Sequence, residues 1–395
     1  HNTRKPIDVT INGGTFNGTA AVYQTDVQGT GSVDVKVAVK NGTFNGTISG
    51  ETDGAIAISG GKFKFKVDDK YFKDGYICSG KAGADGYYTI AGQPITTYGL
   101  SIGEGLSLRI YLLDGVTTGK LRVTYTKPDG EEVSYIIDET EFELVGNEEN
   151  GYTEKYFFRI FNITPQMADM TITVQYIGED GKDFGSAKEV SILKYCEGYI
   201  AKYPTENVKT FVSKLLEYCA SAMDYVAIKY SEQVYNGKTW TERATALRAE
   251  KERLCGTDVP TFDFKELGTN SKFGRKIFDT NGIIFGESLT FYLGIRKENY
   301  NPDYHYIPTG SNETKPVFDE KSGEYRFYFT MAPYEYNTSM RIVVKSGNST
   351  ICERATSLDF LLNKYSDGDS ATARFCKAAY EYCRALEAVI KDINK

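Results

Sequence analysis

The sequence predicts a mixed β and α+β chain: a short right-handed parallel β-helix, then two copies of one module. Each module is an antiparallel β-sheet or sandwich with a C-terminal helical hairpin. Three observations predict this. A strand–glycine–phenylalanine unit recurs near the start, as Val9-Thr10-Ile11-Asn12-Gly13-Gly14-Thr15-Phe16, Val39-Lys40-Asn41-Gly42-Thr43-Phe44 and Ile56-Ala57-Ile58-Ser59-Gly60-Gly61-Lys62-Phe63. Gly103-Glu104-Gly105-Leu106-Ser107-Leu108 is echoed by Gly286-Glu287-Ser288-Leu289-Thr290-Phe291. Tyr218-Cys219-Ala220 and Tyr382-Cys383-Arg384 then fall in matching C-terminal helices.

In the first unit, residues 1–82, each copy reads as an alternating strand, a glycine turn and an inward phenylalanine. The spacing suits one coil of a β-solenoid, with glycine where the backbone takes positive φ and phenylalanines stacked inside. Asp68-Asp69-Lys70-Tyr71-Phe72-Lys73-Asp74-Gly75-Tyr76 breaks the register and reads as a cap. At the other end the stack is expected to continue into further coils.

Residues 83–232 form the first α+β module. Strands are expected over 106–113, 121–125, 133–137, 156–163 and 170–177, with a turn at Lys127-Pro128-Asp129-Gly130. The period then changes from two to about 3.6. A helix over 191–203 stops at Pro204, and Phe211, Leu215, Cys219, Ala222, Met223 and Val226 form the stripe of a second. Residues 233–256, dense in Arg and Glu, read as a solvated connecting helix with i,i+4 charge pairs. Residues 257–395 repeat the plan, with strands over 289–295, 325–331 and 340–345 and a helix whose face holds Phe375, Ala379, Cys383, Leu386 and Ile390.

Composition narrows the function. The chain has 395 residues and a net charge of −7, so it offers no basic field for a polyanion and nucleic acid is not an expected partner. No apolar run approaches the roughly 18 residues of a membrane span. Neither a leader nor an anchor pattern is present, and the expectation is a piece excised from a longer exported protein. Seven cysteines are an odd number. Cys376 and Cys383 lie two turns apart on one helix, about 10 Å, too far for a disulfide, and read as core residues. Cys196 and Cys219 are a candidate bridge between packed helices.

The glycine–phenylalanine coils, the acidic-aromatic cap and the tandem strand-rich modules ending in a helical pair resemble multi-modular cell-surface proteins of gut-type Gram-positive bacteria. The resemblance spans nearly the whole chain. It implies an extracellular, cell-surface address and an adhesive or binding role, and some proteins of that kind bind host glycoproteins, including immunoglobulins. The seven cysteines depart from the pattern, because exported Gram-positive proteins usually avoid cysteine.

Catalytic motifs are sparse. There are two histidines, His1 and His305, too few for a multi-histidine metal site. His305 would act in a triad only if a nucleophile met it from elsewhere. Paired carboxylates of a glycosidase remain an alternative, since sequence does not give their separation. Asp367-Gly368-Asp369-Ser370 reads as a calcium loop or as a loop whose Asp369 or Ser370 caps the next helix. No cofactor motif is present.

Thirty tyrosines beside one tryptophan point instead to a contact surface. The second copy reads as carrying, between residues 297 and 323, a stretch absent from the first. Tyr300, Tyr304, His305 and Tyr306 lie there among prolines, and Tyr334 and Tyr336 follow in a later turn. Tyrosine gives a large rigid contact at low entropic cost. These six residues are the expected partner-binding site, for an extracellular host protein before a glycan. A carbohydrate-active protein and a structural spacer are the alternatives from other classes.

Overall fold

The computed structural model describes residues 6–393 apart from 26–34, 74–75, 79–84, 104, 114–115, 117–118, 128–129, 146–154, 179–180, 265–269, 287 and 309–314. It is mixed and strand-rich, with several sheets and five helices among the described residues.

The N-terminal sheets hold β1 (Ile7–Ile11), β2 (Thr15–Phe16), β3 (Ala20–Gln24), β4 (Val35–Val39), β5 (Thr43–Phe44), β6 (Thr47–Gly50), β7 (Ile56–Ile58), β8 (Gly61–Phe63), β9 (Ile77–Cys78) and β10 (Tyr88–Ala91). Parallel ladders join β1-β4-β7, β2-β5-β8 and β3-β6. The expected phenylalanine column is present: Phe16 stacks on Phe44 at 4.9 Å and Phe44 on Phe63 at 4.8 Å. Gly42 sits at φ 137, where a Cβ would meet the Phe44 ring at 3.0 Å, so the turn needs glycine. Ladders of two or three strands do not amount to a solenoid, and the described residues do not establish the expected β-helix. Asp68 caps a 3-10 turn over Asp69–Tyr71, and Phe72 bridges Ile58 at the edge of the β1-β4-β7 ladder, while β10 and β9 extend the β2-β5-β8 ladder in antiparallel pairing. Asp74 of the expected cap lies outside the described residues.

The first module contains β11 (Ile95–Ile102), β12 (Leu106–Leu112), β13 (Lys120–Thr126), β14 (Glu132–Ile137), β15 (Glu143–Val145), β16 (Lys155–Ile163), β17 (Ile172–Ile177) and β18 (Asp183–Val190), then α1 (Ile192–Lys202) and α2 (Glu206–Ala227). Its antiparallel sheets have the orders β11-β12-β16-β15 and β14-β13-β17-β18. Ser191 caps α1 by accepting from the Lys194 amide, and the helix ends before Pro204 as its sequence dictates.

A hairpin of β19 (Val234–Tyr235) and β20 (Lys238–Thr239) turns at Asn236 and Gly237, both at positive φ, and leads into α3 (Trp240–Cys255). The solvated-connector expectation for this helix is corrected. Trp240, Ala244 and Leu247 are buried, and Arg243 is buried between the Trp240 and Tyr235 rings while its guanidinium grips Asp169. Most of the charged residues pair across to α1, α2 and the loop before β17 rather than along α3.

The second module holds β21 (Ser271–Gly274), β22 (Thr280–Phe285), β23 (Leu289–Arg296), β24 (His305–Pro308), β25 (Val317–Asp319), β26 (Glu324–Met331), β27 (Met340–Ser346) and β28 (Ser349–Thr356), then α4 (Leu358–Tyr365) and α5 (Ala371–Ile393). The sheet β22-β23-β26-β25 repeats β11-β12-β16-β15, and β24-β27-β28 repeats β13-β17-β18. The stretch from 297 to 323 is therefore not an insertion. It contains the counterparts of β13 and β15, and its described residues show no counterpart of β14. Ser370 accepts from the Ala373 amide at 3.0 Å, which makes it the cap of α5. The expected Cys196–Cys219 bridge is not formed, and Cys376 and Cys383 are buried in the core as expected.

The two modules share one hydrophobic core, separate from that of the ladders. Helices α2 and α5 cross antiparallel: Asn207 in the first turn of α2 reaches Asp392 at the end of α5, and Tyr225 near the end of α2 meets Phe375 near the start of α5. At the centre, Tyr218 stacks on its counterpart Tyr382 at 5.1 Å with the rings 4° from parallel. Contacts on either side are reciprocal, Phe211 with Tyr382 and the equivalent Phe375 with Tyr218. The equivalent residues Gly105 and Ser288 also form an antiparallel β-bridge. Residue i meeting j while j′ meets i′ is the signature of an isologous interface, here within one chain.

Among the described residues the buried Tyr382 hydroxyl has no hydrogen-bond partner. Tyr382→Phe is expected to leave stability unchanged or raise it, since the lost hydroxyl had no bond to lose. Tyr382→Ala is expected to cost about 3–5 kcal/mol. Urea unfolding followed by Trp240 fluorescence and far-UV circular dichroism reads both.

Candidate functional site

The six residues expected to form a contact surface do not gather into one. Tyr306 and Tyr336 are 1% and 2% exposed, whereas Tyr334 is 43% exposed. Tyr306 faces the core from β24, donates its hydroxyl to the Asn301 carbonyl, and packs on Tyr300 and Phe327. Tyr300 lies flat on Tyr325 at 3.9 Å. Tyr336 turns inward onto α5, with its hydroxyl bonded to Glu387 and its ring edge-on to Tyr380. A tyrosine with its ring packed and its hydroxyl satisfied is a core residue, and these two cannot touch a partner. Tyr304 is half-buried and His305 is exposed on β24 opposite Lys345. Tyr334 lies beyond the far end of β26 from Tyr300, roughly 25 Å away at strand rise.

A different surface has the properties sought. An antiparallel bridge has its local two-fold perpendicular to the sheet, so β11-β12-β16-β15 and β22-β23-β26-β25 turn their outer faces to the same side of the molecule. Inward positions on these strands are apolar, among them Leu108, Ile110, Phe158 and Ile160 and their counterparts Phe291, Leu293, Phe327 and Phe329. The alternate positions project outward. In the first module the Phe157 ring lies beneath Arg109 and Arg159, at 5.2 and 5.5 Å, and beside Tyr111. Arg159 is held bidentate by Glu143 at 2.6 Å and reaches Ser101 and Ser107. That hydrogen bond holds the Glu143 carboxyl below its ordinary pKa.

The second module keeps the chemistry with the partners exchanged. Arg326 lies 4.1 Å over Tyr292, beside Tyr328, and is held by Glu324 and Asp319. Tyr292 rests on Gly282, where a Cβ would come within 2.6 Å of the ring, and Tyr111 rests likewise on Gly99. Near the dyad Phe161 is 59% exposed, and Ile284 and Tyr328 are each 40% exposed. The result is a shallow face of locked arginines and aromatic rings, with hydroxyls between them. Period-two alternation carries the signal for it, but only pairing of the sheets shows that both halves face one way.

Among the described residues no group of three or more His, Cys, Asp or Glu side chains is placed to hold a metal ion. No helix there is long and apolar enough to cross a membrane. No family model matches the chain, and no curated protein matches it.

A charge cluster forms where Glu217 of α2 meets Arg248 and Lys251 of α3 at 2.9 and 2.5 Å. Burial pushes the Glu217 carboxyl up, but the two cations outweigh it and hold its pKa below the usual 4.5. A depressed folded pKa stabilises the fold fully above the unfolded value, and that stabilisation is lost as pH falls through the folded one. Acidification is therefore expected to steepen the loss of stability below about pH 4.5, and more so in the parent chain than in Glu217→Gln. Urea midpoints across that range measure the difference.

Proposed function

We propose that the chain is a non-catalytic recognition module of a bacterial surface protein, acting outside the cell and binding a host protein. A secreted glycoprotein such as an immunoglobulin is the class the resemblance favours. In this reading the parallel ladders are coils of a parallel β-helix that carries the two modules. The observation that supports it best is the dyad-spanning face, on which Phe161, Ile284 and Tyr328 are exposed and Arg159 and Arg326 are already fixed by acid partners. Aromatic residues and arginine are the side chains that dominate protein interfaces, and fixing them beforehand lowers the ordering cost of binding. A glycan is the weaker reading, because the one tryptophan is buried against Arg243 and offers no platform for a sugar ring.

The full chain is expected to capture one dominant protein from serum or mucosal secretions. Phe161→Ala with Tyr328→Ala is expected to weaken that complex by about 2 kcal/mol or more while leaving the urea midpoint in place. Loss of binding in Tyr304→Ala with Tyr334→Ala instead, with the face variant unaffected, would move the site to the second module's loops. Binding only to a glycan array would overturn the protein assignment.

A further inference from the structure

The two halves of the dyad-spanning face differ in how their arginines are balanced. In the first module Arg109 of β12 stands directly across the ladder from Arg159 of β16. Like charges in that position repel and cost stability. The counterpart pair in the second module, Tyr292 with Tyr328, carries no charge. One acid lies beside the two arginines, and it is committed. Glu143 takes Nε of Arg159 on one oxygen and Nη2 on the other, both at 2.6 Å, while Nη1 of Arg159 reaches Ser101 and Ser107. The Arg109 side chain makes no hydrogen bond or ion pair among the described residues. The positions around it on this face are themselves described: Gly99 across β11, Ser107 and Tyr111 on its own strand, Phe157 and Phe161 on β16. None of them is an acid. Its guanidinium lies over the Phe157 ring at 5.2 Å with Nε buried, which leaves the Nη groups for a partner.

We propose that Arg109 receives a carboxylate of the partner protein, an aspartate or glutamate side chain, and that this acid sets which protein the face accepts. The inference rests on reading this face as the recognition surface. A planar guanidinium pairs with a carboxylate through two parallel N–H donors, so the two Nη groups would donate end-on to its oxygens. The incoming acid would also relieve the repulsion between Arg109 and Arg159, a gain that a neutral partner cannot give.

The apolar surface fixes what lies next to that acid. Phe161, 59% exposed, is one strand over and two residues on, about 8 Å from Arg109. Alternate residues of an extended segment are about 7 Å apart and point the same way. The matching feature is therefore an aspartate or glutamate with an apolar residue two positions away. A sialylated glycan offers the carboxylate without that neighbour.

A phage-displayed library of random short peptides, selected on the immobilised full chain, is the probe. Enriched sequences are expected to carry an acid with an apolar residue two positions away. Against the tightest of them, Arg109→Met is expected to weaken binding about tenfold and to flatten its dependence on salt. Changing the peptide's acid to its amide is expected to do the same to the parent chain and to add nothing in Arg109→Met, because both changes remove one interaction. Arg109→Lys keeps the charge and is expected to keep the salt dependence at intermediate affinity. The urea midpoint of Arg109→Met is expected to stay at or above that of the parent, since the repulsion from Arg159 is gone and a long side chain still covers Phe157.

Enriched peptides without an acid, or losses that multiply when both changes are combined, would overturn the proposal. A urea midpoint for Arg109→Met well below the parent's would do so too, by showing that an acid of the chain itself already serves Arg109. Peptides that lose affinity for Phe161→Ala with Tyr328→Ala, yet bind Arg109→Met like the parent, would leave the recognition face standing and remove this inference alone. Peptides indifferent to both variants would remove both readings. Absence of any enrichment would also overturn it, and sialylated glycans retained by the parent but not by Arg109→Met would place the carboxylate on a sugar.

Discussion

The parallel stack of Tyr218 on Tyr382 is the contact from which the arrangement of both modules follows. Each ring sits in the middle of a long helix, so a face-to-face meeting of equivalent residues fixes the crossing of α2 and α5 as a two-fold. A phenylalanine one two-turn step away on each helix then meets the opposite tyrosine, and the two Gly-Glu-Gly/Ser turns are brought together as the Gly105–Ser288 bridge. The contact is apolar, fully buried and continuous with both module cores. It resembles a domain interior cut in half more than a domain–domain contact, and an interface of that kind leaves little room for relative motion.

A two-fold with unequal halves must break its symmetry somewhere, and the charges show where. Glu217 and Glu381 immediately precede the stacked tyrosines at equivalent positions. Glu381 is buried against Lys214 of α2 at 3.0 Å, whereas Glu217 turns to Arg248 and Lys251 of α3. Ala378 stands where the second module would place a lysine like Lys214, so the interface has one lysine for two acids. Helix α3 supplies the missing cations. The extra helix on one side thus covers Glu217, which stays half-buried, and brings its counter-charges with it. The loop before β17 is tied into the same assembly through Asp169 and Arg243.

The sequence made the repeat legible wherever a period governed the residues. The phenylalanine column and the stripes of α2 and α5 fall where alternation or a 3.6 period puts them, and the ends of α1 follow from Ser191 and Pro204. Helix α3 was misjudged because its buried stripe is only Trp240, Ala244 and Leu247 among many charges, and Arg243 counts as polar although its guanidinium is sandwiched between rings. The tyrosines misled for a related reason. An amphipathic side chain satisfies a loop surface and a hydrogen-bonded core equally well, and only the neighbours Asn301 and Glu387 decide that Tyr306 and Tyr336 point inward. Strand β24 leaves no mark in the sequence because its pairing with β27 is long-range and its four residues include a proline.

The pattern of divergence between the copies bears on whether the modules merely space something else. Inward pairs such as Leu108 with Phe291 and Ile110 with Leu293 stay apolar, as one shared core requires. Outward, Arg109 is matched by Tyr292, Phe157 by Arg326 and Arg159 by Tyr328, so the residue types have been exchanged while an arginine still lies over a ring in each module. Core packing does not demand that, because those side chains face away from it. Solubility does not demand it either, since any charged residue would serve on an exposed strand. Each copy thus keeps an arginine over an aromatic ring and a tyrosine resting on a glycine, through different residues. That exchange supports the proposed recognition surface over the alternative of a stalk.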